Sequence, residues 1–588
     1  MRTFAVLLSA ALLPVVSFSQ ATPDQAWIAR SNAFTQQVLD AQIKYSPEQA
    51  SGQGLAKYDT EIGDPSHKAE LAQRKDEEAV VAKLEAALKV EKNLNVAEDL
   101  QIVIDAEKLG FRQQDYSLSH DVTYLNITSG IYAGLEPLLD DQVPQSRREA
   151  AVERLKKYAG MAPGYKPITV ALIERMKEQI AKPNVTYDSR SDVETQLSRN
   201  QAIVDGIGEL FRKYKLTGWE PAYAALKTQL ADYDAWVRTN ILPKTRTDFR
   251  LQPEQYALNF ESYGIDIPPA QIATMAHKAF VEYQAQMAPI AAAIAKERGY
   301  KSSDYRDVIR ELKKQQITGE AILPFYEKRL HEIEAIIVKQ RLVTLPDRPA
   351  IIRLGTPAES SQLPAPHMVP PPFLNNTGQR GVFVLPLNMP AGAGEADAAK
   401  VDDYTFDAAS WTLISHEARP GHELQFDSMV EHGVSLARAL FAFNSTNAEG
   451  WGLYSEYIML PYMPKEGQLI SLQFRLLRAA RAFLDPELQA GKVQPADAMK
   501  VLTQDVCFSV PFANQEVERY TFRSPGQANS YFYGYTRLLE LRHETEQALG
   551  SKFDPLRFHN FLLAHGLLPP GLMKKAVEEH FIPQEKAR

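Results

Sequence analysis

Helical periodicity runs through most of this chain and sets what it can fold into. Residues 25–240 carry apolar side chains at the spacing of amphipathic helices, as in KDEEAVVAKLEAALKV. A long helix with Pro268 near its start and a turn at Gly299 is predicted next, and helical patterns resume after residue 405. With 588 residues the chain can bury a large core. These patterns predict a mostly α fold, built as one large helical body.

One tract departs from the helical pattern. The stretch TPAESSQLPAPHMVPPPFLNNTGQRG is rich in proline and predicts no regular helix. It leads into GVFVLPLN, residues 381–388, which is typical of a strand, and Pro386 places that strand at a sheet edge. We therefore expect a small β-sheet beside the active-site cleft. Such an edge could pair with an extended peptide. The alternative is an irregular loop with a scaffolding role.

The N-terminus is typical of an export signal. Arg2 supplies the positive charge, an apolar stretch follows, and Ser19-Gln20-Ala21 is a small-x-small cleavage site. An uncleaved anchor is the alternative, but the apolar run is short for a membrane span. We predict a signal peptide at 1–21 and a periplasmic or secreted protein without stable membrane insertion. Residues 22–588 are predicted to form a single domain, which can be subdivided into helical part 22–250 and catalytic part 251–588.

Cysteine usage and charge narrow the possible partners. The only cysteine, Cys507, is far from the cleavage site, which argues against a lipid anchor there, and its apolar neighbours predict a buried, inert thiol. The net charge of −8 argues against nucleic-acid binding, which needs a dense basic face.

The segment ISHEARPGHELQF, residues 414–426, carries the chemistry. Metalloprotease helices place two histidines four residues apart, on one face. Here His422 comes six residues after His416, and Pro420-Gly421 lies between them. In an unbroken helix the two side chains would point in different directions. Either the Pro-Gly pair ends the helix and returns His422 to His416, or no metal site exists.

A downstream segment offers further ligands. FNSTNAEGWGLYSEYIM, residues 443–459, predicts a helix with Glu449 and Glu456 seven residues apart and so on one face. Their neighbours are largely apolar, and buried carboxylates are costly unless a cation neutralises them. The alternatives are a structural histidine and a solvated pair of glutamates.

Four blocks, in this order, resemble the bacterial family called domain of unknown function 885: HEARPGHELQ, NAEGWGLYSE, RLLRAARAFLD and EVERYTFRSPGQANSYFYG. The family resembles zincin-type metallopeptidases. The resemblance implies a zincin-like body, a zinc ion held by His416, His422 and Glu449, and Glu417 as the catalytic glutamate. The common family form has a second histidine where this chain has Glu423, and the Tyr533-Gly534 end also departs from the family pattern.

Several other residues are candidates for supporting roles. Glu456 is placed to orient a ligand histidine. The run RYTFRSPGQANSYFYGY offers Tyr520, Arg523, Gln527, Tyr531 and Tyr533 as donors or substrate contacts, and we favour Tyr531 for the oxyanion of a tetrahedral intermediate. Arg523 is an alternative ligand for a substrate carboxylate. Arg481 and Asp485, four residues apart, are expected to pair.

These observations predict an exported zinc-dependent peptidase that hydrolyses oligopeptides with metal-activated water. Two alternatives stay open at this point. One is a non-catalytic periplasmic peptide-binding or scaffold protein, which the broken helix favours. The other is a metal-dependent amidase or esterase acting on cell-wall or other small substrates.

Overall fold

The structure is a computed structural model that describes residues 26–363, 365–386 and 401–588. The predicted signal peptide lies outside the described residues. Helices dominate, as predicted: α1 (Ala26–Ile43), α2 (Pro47–Gly52), α3 (His67–Leu88), α4 (Leu94–His120), α5 (Ile127–Leu135), α6 (Gln145–Arg148), α7 (Ala150–Tyr158), α8 (Ile168–Ile180), α9 (Arg190–Lys213), α10 (Glu220–Asn240), α11 (Pro253–Ser262), α12 (Pro269–Arg298), α13 (Tyr305–Lys313), α14 (Ile322–Gln340), α15 (Pro357–Gln362), α16 (Asp407–Glu417), α17 (His422–His432), α18 (Ser445–Met459), α19 (Lys465–Gln489), α20 (Pro495–Lys500), α21 (Val510–Glu518), α22 (Asn529–Leu549), α23 (Pro555–Ala564), α24 (Pro570–Ala576) and α25 (Ile582–Ala587).

Short π-helical turns occur at Ala437–Phe441, Val501–Asp505, Arg519–Arg523 and Val577–Phe581. The long helix predicted after Pro268 is α12, and it ends where Gly299 adopts left-handed backbone angles, with φ of 70°. The proline-rich tract does contain one short helix, α15, which the sequence did not predict. A capping box formed by Thr356 and Glu359 starts it.

Two small sheets accompany the helices. β1 (Asp121–Val122) pairs in parallel with β2 (Thr186–Tyr187). The second sheet has the order β3 (Ile351–Leu354), β5 (Val382–Leu385), β4 (His367–Val369), with β3 parallel and β4 antiparallel to β5. The prediction that this strand lies at an edge was wrong. All four residues of β5 are buried, and Pro386 comes just after the strand, where it removes no hydrogen bond from the ladder.

The largest apolar core is built almost wholly from residues after Tyr256 and extends to Phe581. Helix α19 runs through it and is buried over nearly its whole length, with α12 packed along one side. Two smaller cores lie mainly within residues 122–241, and Ala358 of α15 packs into one of them. The mostly α fold with a small sheet is therefore confirmed, whereas the division at residue 250 stays a prediction.

The helices that carry the predicted site pack closely. Helix α18 lies against α22, and a Cβ added to Gly450 would come within 2.6 Å of the backbone of Gly534. Small residues let the two backbones approach in this way. Helix α16 packs against both α18 and α19, so the site-bearing helices meet inside the largest core.

Cys507 is buried, as predicted, and burial raises the pKa of its thiol to about 11. Such a thiol is almost entirely protonated near neutral pH and a poor nucleophile. Within the part of the chain that the structure describes, no helix combines the length and the apolarity that a membrane crossing requires.

Candidate metal centre

The predicted break at Pro420-Gly421 is present. Helix α16 ends at Glu417, and α17 begins at His422, so the two histidines lie on separate helices. The structure shows a steric reason for a glycine at this break. A Cβ added to Gly421 would lie 1.9 Å from the carbonyl oxygen of His416, so only glycine fits where the chain folds back.

Helix α18 holds this break in place. The indole Nε1 of Trp451 donates to the carbonyl oxygen of Pro420 at 2.9 Å, and the Ser455 hydroxyl donates to the same oxygen at 3.2 Å. On the other side, Arg419 makes a buried two-point contact with Glu423, with distances of 2.7 and 3.0 Å. Glu423 thus stabilises the loop through this ion pair. It is not one of the three residues whose possible ligand atoms converge.

The two imidazoles and Glu449 converge. Nε2 of His416 and Nε2 of His422 each lie 3.4 Å from Oε2 of Glu449. The two rings are 4.7 Å apart between centroids and nearly perpendicular, at 85°. Ligands at about 2.1 Å from a tetrahedral zinc ion are separated by about 3.4 Å. Two of the three separations match this spacing, and all three ligand atoms lie within 4.8 Å of one another, so the side chains could hold one zinc-sized ion.

Burial makes this arrangement costly without a cation. Glu449 Oε2 and His422 Nδ1 are buried and have no hydrogen-bond partner among the described residues. Burial raises the pKa of Glu449, but the two adjacent imidazoles outweigh it and lower that pKa well below its usual range. Burial lowers the pKa of His416, while Glu449 and Glu456 raise it to about 9. A proton is thus attracted to the point where a metal ion would bind.

Glu456 lies directly behind His416, as predicted. Its Oε1 accepts from Nδ1 of His416 at 2.8 Å, and its Oε2 accepts from the Thr412 hydroxyl at 2.5 Å. Because Nδ1 donates to Glu456, Nε2 is the ring nitrogen that faces Glu449 and is left for a metal ion. This is the carboxylate–histidine arrangement typical of zinc sites.

Glu417 borders these three side chains but is not part of the converging group. Its Oε1 is 4.0 Å from Nε2 of His416, and its side chain keeps 13% of its surface exposed. It is the last residue of α16, one position after a ligand. A carboxylate in this place is close enough to take a proton from a water molecule held beside the ligands.

Tyr531 covers the other side of His416. Its ring stacks on the imidazole at 6.3 Å and 15°. Burial raises the pKa of its hydroxyl, and the arginines around it lower that pKa less strongly. The hydroxyl accepts a long hydrogen bond from Arg519 at 3.4 Å, which leaves its own proton free to donate.

The other predicted residues contact side chains other than His416, His422 and Glu449. The Tyr520 hydroxyl donates to Glu516, Arg523 pairs with Glu518, and the Gln527 amide donates to Ser445. Tyr533 is two residues from Tyr531 on α22 and so points to the opposite side, where it donates to Asp266 and lines a cavity of about 430 Å³. The structure does not bring Tyr533 to the metal ligands.

Some residues of the site were missed by sequence reasoning. A Cβ added to Gly452 would lie 2.6 Å from the ring of His416, so this glycine leaves the space that the imidazole occupies. The motif Glu-Gly-Trp-Gly, with two glycines inside a helix, was the signal that could have revealed it.

The predicted pairing of Arg481 with Asp485 was wrong. Arg481 pairs with Glu516, and Asp485 accepts hydrogen bonds from the Tyr256 hydroxyl and the Gly526 amide.

Comparison with known proteins agrees with the resemblance. The model of the family "Bacterial protein of unknown function (DUF885)" matches residues 47–577. A crystal structure described as "the putative lipoprotein from Colwellia psychrerythraea" is similar over 94% of this chain and 99% of that chain, with 17% identity and a TM-score of 0.75. A structure from Shewanella oneidensis, described as "a putative lipoprotein of unknown function", is similar over 93% of this chain and 98% of that chain, with 19% identity and a TM-score of 0.66. These two likenesses show a shared fold. No curated protein is significantly similar to the chain.

Proposed function

We propose that this chain, which belongs to the bacterial DUF885 family, is an exported zinc-dependent peptidase acting on oligopeptides. The observation that carries the proposal is the meeting of two imidazole Nε2 atoms on one buried oxygen of Glu449, each at 3.4 Å. Two histidines and a glutamate are a common ligand set for catalytic zinc, which keeps a further position for water or substrate. A bound zinc ion would lower the pKa of a water molecule and polarise the scissile carbonyl.

The side chains around the ligands fit the proton movements of amide hydrolysis. Glu417 takes a proton from the attacking water, whose oxygen forms a new bond to the carbonyl carbon. Glu417 then gives that proton to the leaving nitrogen as the carbon–nitrogen bond breaks. Glu456 keeps the ring proton of His416 on Nδ1 throughout. The Tyr531 hydroxyl donates to the oxyanion of the tetrahedral intermediate.

The runner-up functions carry less support. The binding or scaffold alternative depended on the broken helix, yet the break is what brings His422 to His416 and Glu449. Hydrolysis of a cell-wall amide or an ester would use the same residues. A panel of oligopeptides, muropeptides and simple esters therefore belongs in the first activity screen.

Export is part of the proposal and depends on the N-terminal sequence pattern. The two structural neighbours are called lipoproteins, and those names apply to those proteins. Fractionation of cells, followed by sequencing of the mature N-terminus, tests whether cleavage follows Ala21. Recovery of uncleaved protein in the cytoplasm would contradict this part of the proposal.

Metal analysis and one substitution test the catalytic claim. We expect close to one zinc ion per chain after reconstitution, removed by a chelator together with activity. Glu417→Gln should keep the metal and lose at least about 10²-fold in rate, since the base is lost while the ligands stay. A chain that binds less than about 0.1 metal ion, or a Glu417→Gln variant with near-full activity, would refute the proposal.

A further inference from the structure

Three arginines surround the tyrosine that stacks on His416. The guanidinium carbons of Arg478, Arg481 and Arg519 lie 5.8, 4.5 and 5.9 Å from the centre of the Tyr531 ring. The first two come from α19, and Arg519 opens the π-helical turn after α21. The Tyr531 ring thus contacts both His416 and this arginine cluster.

The arginine cluster has fewer negative partners than positive charges. Glu516 receives two hydrogen bonds from Arg481, at 2.6 and 2.7 Å, and is 3.8 Å from Arg519. Glu456 is 3.7 Å from Arg478. Three guanidinium groups thus share two carboxylates, one of which also binds His416.

Parts of the arginine cluster are left unpaired. Nε of Arg478 and Nη1 of Arg481 are buried and have no hydrogen-bond partner among the described residues. Buried guanidinium charge without a partner is costly, which favours an anionic ligand beside Tyr531.

A further carboxylate, Asp485, does not balance this charge. It accepts from the Tyr256 hydroxyl at 2.9 Å and from the Gly526 amide. Burial raises the pKa of Asp485 to about 8, so it is mostly uncharged at pH 7. Asp485 therefore offsets the charge of the three arginines only weakly at neutral pH.

Arg519 is the member of the arginine cluster that a substrate can reach. Its side chain keeps 21% of its surface exposed, whereas those of Arg478 and Arg481 keep 7% and 6%. The exposed fractions of Glu449 and Glu417, 18% and 13%, are similar to that of Arg519. Solvent thus reaches part of the Glu449, Glu417 and Arg519 side chains.

The distances fit the end of a peptide. Tyr531 lies 6.3 Å from the His416 ring and 5.9 Å from the guanidinium carbon of Arg519, so that carbon is at most about 12 Å from the imidazole. An extended chain covers about 3.3–3.6 Å per residue. A carboxylate held by Arg519 would therefore lie one to three residues beyond the scissile bond.

We propose that Arg519, supported by the charge of Arg478 and Arg481, binds the free C-terminal carboxylate of the substrate. The protein is then an exopeptidase that releases one to three residues from the C-terminus of oligopeptides. A planar guanidinium group suits this task, because it binds a carboxylate through two parallel hydrogen bonds. The inference rests on the proposed peptidase function and specifies its substrate class.

The test compares matched peptides that differ only at the C-terminus, as free acid or as amide. We expect kcat/KM to be about 10- to 100-fold higher for the acid, the size of a lost charge-assisted hydrogen bond. Mass spectrometry should identify a released fragment of one to three residues. Equal cleavage of both peptides, or cleavage at internal bonds only, would overturn the inference and leave the peptidase proposal standing.

Substitution assigns the preference to Arg519. Arg519→Gln should lower kcat/KM about 10- to 100-fold more on the acid than on the amide, with the extra loss mainly in KM. Arg519→Lys should recover part of the loss, since it keeps the charge but not the two-point geometry. The control is Arg537→Gln on α22, which pairs with Glu540 away from the ligands. Equal losses on acid and amide would contradict the role of Arg519.

A binding measurement separates the two proposals. Zinc-loaded Glu417→Gln protein is heated with each peptide, and the shift in Tm is recorded. Stabilisation by the acid peptide alone supports carboxylate recognition by Arg519, whether or not the wild type cleaves any peptide. Failure of the wild type to cleave any peptide would refute only the peptidase function. Equal stabilisation by both peptides, or none by either, counts against Arg519 as the carboxylate ligand.

Discussion

Glu456 accepts a hydrogen bond from Nδ1 of His416 over 2.8 Å, and both side chains are buried. This contact fixes which nitrogen of the imidazole is protonated and so which one is free to bind a metal ion. It also joins α16 to α18.

Glu456→Gln should weaken zinc binding by about 10- to 100-fold without unfolding the chain. The amide keeps the shape of the side chain but loses the negative charge that strengthens the hydrogen bond from Nδ1 of His416. Competition with a chromophoric chelator measures the affinity. Glu466→Gln, which alters an exposed ion pair with Arg298, is the control. Unchanged zinc affinity in Glu456→Gln would show that this hydrogen bond does not tune the ligand.

Gly452→Ala should destabilise the protein and reduce zinc binding. Replacing glycine by alanine inside a helix usually stabilises it by about 0.5–1 kcal/mol. Here the new Cβ would lie 2.6 Å from the His416 ring, so the ring must move. Gly110→Ala in α4 is the matched control, because nothing lies within 4 Å of its added Cβ. In urea unfolding, the free energy of unfolding should decrease for Gly452→Ala and increase for Gly110→Ala.

Deletion of Pro420 and Gly421 should abolish zinc binding, although it creates the four-residue histidine spacing of an ordinary zinc helix. The deletion removes the oxygen that receives hydrogen bonds from Trp451 and Ser455, and it takes away the turn that brings His422 to Glu449. Metal analysis beside circular dichroism separates loss of the site from loss of the fold. A deletion variant that binds zinc as tightly as the wild type would show that the break is not required.

His559 should make stability fall on acidification. Its Nδ1 donates to the Leu342 carbonyl at 2.6 Å, and its Nε2 accepts from the Tyr454 hydroxyl at 2.8 Å. Burial lowers the pKa of His559 from 6.5 to about 4. Between these values the unfolded chain binds a proton that the folded chain does not, so stability is complete above pH 6.5 and falls as the pH approaches 4.

This shift corresponds to about 3 kcal/mol over that range, at about 1.4 kcal/mol per pH unit. Urea unfolding at pH 7 and pH 4.5 should show a smaller difference for His559→Asn than for the wild type. The control is His331→Asn, whose side chain is 77% exposed. Burial also lowers the pKa of His565 to about 4. The His559→Asn variant should therefore still lose some stability on acidification. Identical pH profiles for His559→Asn and wild type would rule out His559 as a source.

Periodicity and turn chemistry predicted the local structure well. The spacing of apolar residues predicted the helices, and Pro420-Gly421 predicted the end of α16. The seven-residue spacing of Glu449 and Glu456 placed both on the face of α18 that meets His416. These features depend on residues within two helical turns of one another, so they can be predicted from the sequence pattern.

Long-range pairing could not be read in this way. Arg481 has Asp485 one helical turn away, yet it pairs with Glu516, 35 residues later in the chain. The strand Val382–Leu385 is central because two earlier segments of the chain, β3 and β4, pair with its two edges. In each case several partners were compatible with the local pattern, and packing selected one.

By itself, the sequence determined a mostly helical chain, a broken helix bearing His416 and His422, and a second helix with Glu449 and Glu456 on one face. Only the tertiary structure decided that the two Nε2 atoms meet Glu449 at 3.4 Å and that three arginines gather around Tyr531. The physical reason is range. Helix formation depends on residues three or four positions apart, whereas these contacts join helices across the core, where close packing fixes which side chains can meet.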